Sequence, residues 1–585
     1  MNDLQDDDVI INDDSDLSDF EECRDEFRLE DIESESSDES DNDVPSISQS
    51  RGWSAAQRTP AVNAFLGWQG PTAAAQQVSN AESPLHYFLL IFTSDVLGKV
   101  VMETNRYAAQ ALAANPPAPR EISKKKPWVD VNEEEVNKFI GLTMMMGFVQ
   151  KNGRITSYWS QDQRIATPYF PAVMSRNRFQ QILSYLHFNN NNELPQNRDD
   201  KLFKIRPVYN MIVKRWRSLY DLGEHISIDE SMVKWRGRLS FKVYQKEKPT
   251  KYGIKSYMLT DAKSKYCWNM DVYHGVSKTL KETVTGLLTS KCMSLWHSLY
   301  MDNFYNSVAL SEFLLDQKVY TVGTLRRNRG EPPEIRDPGR MNSGDVVARD
   351  NGKVLVLAWK DKRVVKAITT KHDASMTTVA RPKKRGRGEM EQVSKPACIV
   401  DYNKHMSGVD LLDQMISYYP FTRKTTKWTK KVFFYLVKIS AHNAFVLYKA
   451  KSIHNDFNTF YKFLLELAGQ LCRSSRQAGS SLDNKPSPSK QPRIDCEDRL
   501  CGGHKCHRLA LFPARGVRKH AQKPCKVCRK HGQRKDTTYY CVHCDVALCV
   551  IPCFNKYHTE QRYWKKLQVK VFLLFFWFAF QNNVS

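Results

Sequence analysis

The sequence predicts a mixed α/β protein in which an all-helical unit precedes an α/β sheet and a cysteine-rich, metal-binding segment closes the chain. Three observations support this prediction. Apolar residues recur at helical spacing between residues 85 and 224, and they alternate at strand spacing from residue 225 onwards. Nine of the 14 cysteines lie between Cys496 and Cys553. A chain of 585 residues is long enough to hold these units as separate domains.

The charge is distributed unevenly along the chain. The net charge is +23, but the first 44 residues carry 20 acidic residues and two arginines, which leaves +41 on the remainder. An excess of this size favours a polyanionic partner, most simply nucleic acid, over a merely solvated basic surface. The acidic segment and the Ser-, Gln- and Ala-rich residues after it hold few apolar anchors, so residues 1–84 are predicted to be disordered.

The helical unit is predicted over residues 85–224. Apolar residues recur at helical spacing over residues 85–112, 133–146, 179–188 and 208–220. A proline-rich break at residues 115–119 separates the first of these helices from the second.

The sheet is predicted from short runs of strand-like residues after residue 224. These runs are residues 226–228, 257–259, 267–273, 298–301 and 319–325. A helical run at 307–315 separates the last two, so antiparallel strands followed by a strand, a helix and a strand describe an α/β sheet.

Residues 326–395 are predicted to be an insertion into the sheet domain, because Arg, Lys, Pro and Gly dominate there around one β-rich patch at 353–369. The basic run that begins at Arg381 suits a nuclear localisation signal, a phosphate-contacting loop or a plain solvated loop. Helical spacing returns over residues 406–419 and 432–467.

Aspartates occur where an α/β sheet usually presents functional groups. Asp229 is predicted at the end of the strand that begins near Ile226, and Asp302 at the end of the next apolar strand, just before a helix. Asp410 and Asp413 lie three residues apart, so a helix places both on one face. Taken alone, Asp229 suits a simple turn better than a metal ligand. Together, Asp229, Asp302 and Asp410 offer hard oxygen ligands to Mg²⁺, and two such ions suit phosphodiester chemistry.

Basic residues cluster around Trp428. Phosphate contact is predicted for the cluster, since its members repel one another without a counter-charge; they are Arg423, Lys424, Lys427, Lys430 and Lys431. Trp428 by itself suits core packing better than DNA contact. A weaker case for phosphate contact is made by Lys248, Lys251 and Lys255, which also suit a solvated hairpin.

The cysteine-rich segment has the ligand spacing of a zinc domain. Seven potential ligands follow one another at that spacing: Cys525, Cys528, Cys541, Cys544, Cys549, Cys553 and His558. Two tetrahedral sites need eight ligands, and His504 or His507 would supply the last. A ubiquitin-ligase RING or a histone-reading finger is a weaker alternative, because the Cys-x-His-x2-Cys centre of a RING is missing.

The compartment is predicted to be reducing, because the cysteines are grouped at metal spacing and no secretory signal begins the chain. The apolar run Val571–Phe580 spans ten residues, well below the ~20 needed for a membrane helix. It suits a buried strand, a partner contact or an unselected tail better than an anchor, so no membrane is expected.

Five motifs in order resemble those of the piggyBac transposases, and the resemblance extends from about residue 85 to the final cysteines. The motifs are Ser227-Ile-Asp-Glu with Arg236-Gly-Arg, Lys248-Pro-Thr-Lys-Tyr-Gly-Ile-Lys, Met301-Asp-Asn-Phe, Gly408-Val-Asp-Leu-Leu-Asp-Gln-Met and Arg423-Lys-Thr-Thr-Lys-Trp. The resemblance implies an RNase H-like catalytic core with an insertion domain, flanked by an all-α dimerisation and DNA-binding domain, plus a C-terminal zinc cross-brace domain.

The resemblance also implies a reaction and its residues. The family's three catalytic aspartates match Asp229, Asp302 and Asp410, and its additional acidic residue matches Asp413. The implied reaction is metal-dependent hydrolysis of a DNA strand, hairpin formation and strand transfer into TTAA targets. A segment that lies near DNA in the family is matched by Arg423, Lys424, Thr425 and Trp428.

These inferences define the expected organisation. The expected segments are a disordered region (1–84), the helical domain (85–224 and 420–472), the catalytic core (225–325 and 396–419), the insertion (326–395), a linker (473–495), the zinc domain (496–560) and a hydrophobic tail (561–585). We expect two Mg²⁺ and two Zn²⁺ ions, double-stranded DNA as partner, a homodimer, a nuclear location and chromatin proteins as further partners. The alternative is a domesticated, catalytically silent DNA- or chromatin-binding protein.

Overall fold

The computed structural model divides into two compact units, residues 1–478 and 479–585. The described residues are 52–56, 58–77, 83–114, 127–196, 199–246, 248, 250–276, 278–382, 390–420, 425–451, 456–473, 500, 507–513, 522–561 and 563.

The first unit contains both helices and strands. Its helices are α1 (Ala73–Gln76), α2 (Pro84–Leu89), α3 (Ser94–Ala114), α4 (Glu133–Phe148), α5 (Tyr169–Val173), α6 (Arg176–Tyr185), α7 (Arg206–Leu219), α8 (Leu280–Leu288), α9 (Val308–Asp316), α10 (Pro333–Arg336), α11 (Ala397–His405), α12 (Gly408–Ser417), α13 (Trp428–Lys451) and α14 (Phe460–Arg473). Its strands are β1 (Ser54–Ala55), β2 (Gly70–Pro71), β3 (Tyr220–Asp221), β4 (His225–Lys234), β5 (Val243–Tyr244), β6 (Tyr252–Asp261), β7 (Cys267–Val272), β8 (His297–Met301), β9 (Val319–Thr324), β10 (Val346–Asp350), β11 (Leu355–Lys360), β12 (Val364–Thr369), β13 (Met376–Pro382) and β14 (Met390–Pro396).

Ten of the described strands form one mixed sheet in the order β1-β10-β11-β12-β9-β8-β4-β6-β5, with β7 also paired to β6. The central strands β4, β8 and β9 are parallel, and the strands on either side join them in antiparallel pairs. Strand β8 is buried along its whole length, because helices cover the centre of the sheet. The mixed α/β architecture predicted from the sequence is confirmed.

Helix α13 joins the helical part to the sheet. Most of its residues are buried, and polar side chains fix its position. Asn443 accepts a hydrogen bond from the backbone N–H of Cys267 (2.9 Å) and donates one to the carbonyl of the same residue (2.8 Å). Trp216 donates its indole N–H to Ser440 (3.0 Å). The helices before and after the sheet therefore share one apolar core with it.

Several predicted boundaries are wrong. Disorder over 1–84 is wrong for residues 52–56 and 58–77, because β1 pairs with β10, β2 pairs with β3, and Arg58 forms an ion pair with Asp350 (3.1 Å). The single helix over 85–112 is two helices, α2 and α3.

The sheet region also differs from the prediction in two ways. Asp229 lies inside the long strand β4 and not at a strand end or in a turn, because β6 pairs with β4 through and beyond that residue. The insertion contains β10, β11 and β12, which continue the main sheet from β9, where one β-rich patch was predicted. The hairpin β13–β14 is a second structured element of that insertion.

The second unit is built from short elements. They are β15 (Leu509–Leu511), β16 (Lys523–Pro524), α15 (Lys526–Lys530), β17 (Asp536–Thr537), β18 (Tyr539–Cys541), β19 (Val546–Ala547) and α16 (Cys553–Thr559). None of the helices in the described parts of either unit combines the length and apolar character that a bilayer crossing requires. The predicted linker after residue 473 and the apolar run Val571–Phe580 lie outside the described residues.

Candidate active site

The register of β4 and β8 brings Asp229 and Asp302 side by side. The two strands are parallel, and Ile228 pairs with Met301. Asp229 directly follows Ile228, and Asp302 directly follows Met301. The two aspartates therefore occupy neighbouring positions on the same face, with roughly 4.8 Å between the strands. The predicted proximity of these two carboxylates therefore follows from the sheet itself.

A buried amide holds the chain at Asp302. Asn306 donates hydrogen bonds to the carbonyls of Met301 (2.9 Å), Asp302 (3.0 Å) and Thr324 (3.0 Å). A side chain at Gly323 on β9 would overlap both Asn306 and the Met301 carbonyl, so glycine permits this arrangement. Sequence reasoning missed Asn306, although it ends the motif Asp302-Asn-Phe-Tyr-Asn.

Helix α12 contributes the other two aspartates. Its first residue, Gly408, lies so close to β4 and β6 that an added Cβ would overlap the hydroxyls of Ser227 and Thr260. Those hydroxyls are buried and bonded to each other at 2.9 Å, so they have little freedom to move. Glycine therefore allows the N-terminus of α12 to approach the strand that carries Asp229, and Asp410 follows two residues later.

Lys248 lies between two of these carboxylates. Its Nζ is 3.7 Å from Oδ1 of Asp229 and 3.6 Å from Oδ1 of Asp410, and it donates a hydrogen bond to the Glu230 carbonyl (3.0 Å). The sequence predicted Lys248 as a phosphate contact, but its nearest charged neighbours here are aspartates. Lys251, predicted alongside it, is exposed.

Burial and the neighbouring carboxylates raise the pKa values of the aspartates in this cluster. Burial, opposed by Lys248 and reinforced by the nearby Glu230 and Asp410, raises the pKa of Asp229 to about 7. Burial and the neighbouring Asp229 raise the pKa of Asp302 to about 6. The site is therefore an environment in which an added cation favours the ionised carboxylates.

Asp413 has a different environment from Asp410. It accepts hydrogen bonds from the hydroxyls of Ser231 (2.5 Å) and Tyr435 (3.1 Å), whereas the side chain of Asp410 is 65% exposed. Burial raises the pKa of Asp413 to about 6 despite these hydrogen bonds. Asp413 therefore ties α12 to β4 and α13, and its role as a metal ligand stays a prediction.

Two of the residues predicted to contact DNA are buried. Trp428 packs its ring edge against Phe241, with 5.3 Å between ring centres. Lys430 is 4% exposed and donates to the carbonyls of Leu183 and Ser184 at the end of α6. Its burial lowers the pKa of the ammonium group to about 7. The core packing favoured for Trp428 taken alone is confirmed. Phosphate contact by Lys430 stays a prediction, because sequence spacing did not show which face of α13 enters the core.

The other residues of that basic segment have mixed outcomes. Lys427 is partly buried and donates to the hydroxyl of Tyr107 (3.0 Å). Thr425 is also partly buried and accepts a hydrogen bond from the backbone N–H of Lys427 (3.2 Å). Arg423 and Lys424 lie outside the described residues. The DNA contact of these four residues stays a prediction.

A second polar cluster, which sequence reasoning missed, includes residues of β4 and β8, the strands that lead to Asp229 and Asp302. The carboxylate of Asp401 accepts a hydrogen bond from Tyr300 (2.8 Å) and lies near ring nitrogens of His405 (3.0 Å) and His372 (3.3 Å). The ring of His405 stacks on that of His225 at 3.9 Å. Asp401 and His405 lie one turn apart on α11, but Tyr300, His372 and His225 are distant from them in sequence, so no short motif could have indicated the whole cluster.

Eight candidate zinc ligands of the C-terminal unit form two separate sets. One set is Cys525, Cys528, Cys549 and Cys553, and the other is His507, Cys541, Cys544 and His558. The potential ligand atoms of each set lie within 4.8 Å of one another. Each set has four members, the number that tetrahedral zinc coordination requires. His507 is therefore the eighth candidate, and His504 lies outside the described residues.

The two sets are interleaved along the chain. The first pair of cysteines, at 525 and 528, groups with the last pair, at 549 and 553. The middle pair, at 541 and 544, groups with His507 and His558, which lie before and after all six cysteines. Among the described residues, no other group of three or more such side chains is gathered this tightly, and that includes the aspartates of the sheet. The acidic cluster is thus the more open arrangement.

Comparisons with known proteins match the two units of the chain separately. The family model described as Transposase IS4 matches residues 83–445, and a model of a DDE_Tnp_1-like zinc finger matches residues 514–559. The zinc-finger match and the two ligand sets together identify the C-terminal unit as zinc-binding.

Two human proteins are similar to this chain over much of its length. PiggyBac transposable element-derived protein 2 is 23% identical over 401 residues, which is 66% of this chain and 65% of that protein. PiggyBac transposable element-derived protein 3 is 25% identical over 499 residues, which is 82% of this chain and 76% of that protein. The chain thus spans slightly less than two thirds of the first relative's length.

A solved structure has the same fold. It is a piggyBac transposase synaptic complex with hairpin DNA, and it matches with a TM-score of 0.59 and 24% identity. The match covers 82% of this chain and all of the other one.

Proposed function

The chain belongs to the piggyBac transposase family, and from that premise we propose that it cuts and joins DNA strands in a metal-dependent reaction at the acidic cluster. One observation carries the proposal: Asp229 and Asp302 occupy neighbouring positions on parallel strands, and Lys248 lies within 4 Å of carboxylate oxygens of both Asp229 and Asp410. Two aspartates from distant parts of the chain thus flank one cationic position, and a third lies beside Asp229.

The donor set fits Mg²⁺. Carboxylate oxygens are the ligands that this ion prefers, and the Lys248 ammonium is a stand-in cation beside two of them. Asp229, Asp302 and Asp410 would hold the metal, with Asp413 behind them. When bound, two such ions would supply an activated water and a counter-charge for the leaving oxygen of a phosphodiester.

The chain's own residues fix the positions of these carboxylates. Asn306 holds the backbone at Asp302, and Gly408 lets α12 bring Asp410 to β4. Hydrogen bonds from Ser231 and Tyr435 hold Asp413, so the helix cannot rotate without breaking them. Positioning of this kind matters because small displacements of catalytic groups reduce rates strongly.

The remaining features of the proposal concern partners. The net charge of +23 and the exposed Lys251 support binding to double-stranded DNA, with TTAA targets carried over from the family resemblance. The proposal also includes two zinc ions in the C-terminal unit. It further includes a dimeric state, a nuclear location and contact with chromatin proteins.

The test is a strand-cleavage assay on duplexes carrying TTAA-flanked ends, with Mg²⁺. Asp410→Asn is expected to lower cleavage by at least about a thousandfold while DNA binding is retained, because one metal-ligand charge is lost. The matched control is Asp337→Asn, whose side chain is 64% exposed against 65% for Asp410 and which also pairs with a cation, Arg327.

Unchanged nicking by Asp410→Asn would refute the catalytic role of the cluster. A wild-type chain that binds these duplexes in the nucleus but never cuts them would support the alternative, a silent DNA- or chromatin-binding protein.

A further inference from the structure

The position of Lys248 is unusual for a residue that only contacts DNA. Its ammonium lies 3.7 Å from Asp229 and 3.6 Å from Asp410, which is longer than the 2.7–2.9 Å of a direct charge-assisted hydrogen bond. The ammonium is therefore shared between two carboxylates and committed to neither. Its short hydrogen bond is to the main-chain carbonyl of Glu230, at 3.0 Å.

This carbonyl anchors the lysine to the strand that carries Asp229. Glu230 follows Asp229 on β4, so a hydrogen bond to its backbone carbonyl places the ammonium next to that aspartate. Asp410 comes from helix α12 on the other side. A single cation thus links a strand and a helix that the chain separates by about 180 residues.

A divalent cation and this ammonium cannot share the position favourably. A metal ion bound to the same oxygens would lie within a few ångströms of Nζ, and like charges at that distance repel strongly in a partly buried site. The ammonium must move away or the metal must bind more weakly. Lys248 sits in a short connection between β5 and β6, so its side chain can leave without moving a strand.

We propose that Lys248 is a built-in counter-cation that holds Asp229 and Asp410 together in the metal-free protein and is displaced when a divalent cation binds. The inference rests on the proposed function only in taking these two aspartates as metal ligands. Lys248 is then a positioning residue that competes with the metal, and its ammonium becomes available to a DNA phosphate once the metal is in place.

The first experiment measures metal binding on the full chain without DNA. Mn²⁺ is titrated in place of Mg²⁺, with free Mn²⁺ followed by electron paramagnetic resonance and the C-terminal sites already loaded with zinc. Lys248→Met is expected to bind Mn²⁺ about tenfold more tightly than wild type, because the competing charge is gone. Lys248→Arg keeps the charge and should bind within about twofold of wild type.

The matched control is Lys246→Met, an exposed lysine in the same connection. It should leave the dissociation constant of Mn²⁺ unchanged. Asp410→Asn identifies the site, because it should weaken Mn²⁺ binding in both the wild-type and the Lys248→Met backgrounds.

The second experiment uses the wild-type chain, so it does not depend on a variant that folds. Lysines are acetylated briefly with N-hydroxysuccinimide acetate and quantified by mass spectrometry, with and without saturating Mn²⁺. Mn²⁺ should raise the modification rate of Lys248 several-fold and leave that of Lys246 unchanged.

The outcomes separate the two proposals. If the wild type binds Mn²⁺ at Asp410 but Lys248→Met binds it no more tightly and Lys248 labelling does not rise, the counter-cation role is overturned while the proposed function stands. If no Mn²⁺ binding depends on Asp410, both are overturned. If both Lys248 readouts change as expected but no duplex is ever cut, the counter-cation role stands and catalysis is refuted.

Discussion

In the C-terminal unit the candidate metal ligands form much of the core, whereas in the sheet domain they lie on a large apolar core built from other residues. Five cysteines are among the eleven buried residues of the C-terminal apolar cluster. Its strands are only two or three residues long. The sheet domain holds Asp229 on a strand of ten residues and Asp302 directly after a strand of five, and neighbouring strands fix the registers of both.

This difference separates zinc sets that form part of a core from the proposed magnesium site, which would lie on a core formed by other residues. The zinc sets are closed, with four ligands each, and neither leaves a protein-free coordination position. The acidic cluster is open on the side of Asp410, and hydrogen bonds to Asn306, Ser231 and Tyr435 hold its frame without a metal. Removing metal should therefore unfold the C-terminal unit and leave the sheet domain folded.

The largest effect is expected from chelation. A strong chelator should unfold the C-terminal unit, because binding of a structural zinc ion contributes about 10 kcal/mol or more to folding of small zinc domains. The sheet domain should keep its structure under the same conditions. Amide hydrogen exchange on the full chain measures both at once: protection should vanish over residues 522–561 and persist over residues 225–234 and 297–301. Equal loss of protection in both regions would show that the sheet also depends on metal for its fold.

A smaller effect is expected from Gly408→Ala, which tests whether the sheet domain positions its aspartates through packing. The new Cβ would overlap the bonded hydroxyls of Ser227 and Thr260, so α12 must shift, at about 2 to 3 kcal/mol of stability. DNA cleavage should fall by about a hundredfold through displacement of Asp410.

The control for this variant is Gly286→Ala. Gly286 also lies in a helix, α8, but an added Cβ there meets nothing within 4 Å. Alanine should therefore be neutral or stabilise this helix by up to about 1 kcal/mol. The cleavage rate and the free energy of unfolding are measured for both variants. Equal values would refute the idea that the close approach at Gly408 positions Asp410.

The same contrast explains what the sequence could predict. The cysteine spacing alone indicated seven zinc ligands, because a closed site on a short chain segment leaves a local pattern. The aspartates were found through motifs, but their proximity depends on the parallel pairing of β4 with β8, which no local pattern encodes.

Burial was the property that the sequence predicted least well. Lys248 and Lys430 look alike as members of basic segments, yet one lies among carboxylates and the other caps the end of α6 inside the core. The short pairing of β1 with β10 was missed for a related reason, since a strand of two residues has no detectable alternation. Contacts between distant segments decide all three cases.

The smallest effect is expected at Asp401, where the sheet domain stabilises a carboxylate without any metal. Burial alone would raise the pKa of Asp401, but hydrogen bonds from His372 and Tyr300 and the nearby imidazole of His405 hold that pKa well below its usual range. A depressed carboxyl pKa stabilises the fold above the unfolded value of about 3.9, and this contribution is lost as the pH falls towards the folded value. Asp401→Asn should therefore lower the free energy of unfolding by about 1 kcal/mol at pH 7, with the difference from wild type shrinking below about pH 4. Urea unfolding of wild type and Asp401→Asn at pH 7 and below about pH 4 checks this. If the stability difference between the two proteins grew on acidification, the histidines, rather than the Asp401 charge, would control the stability of this cluster.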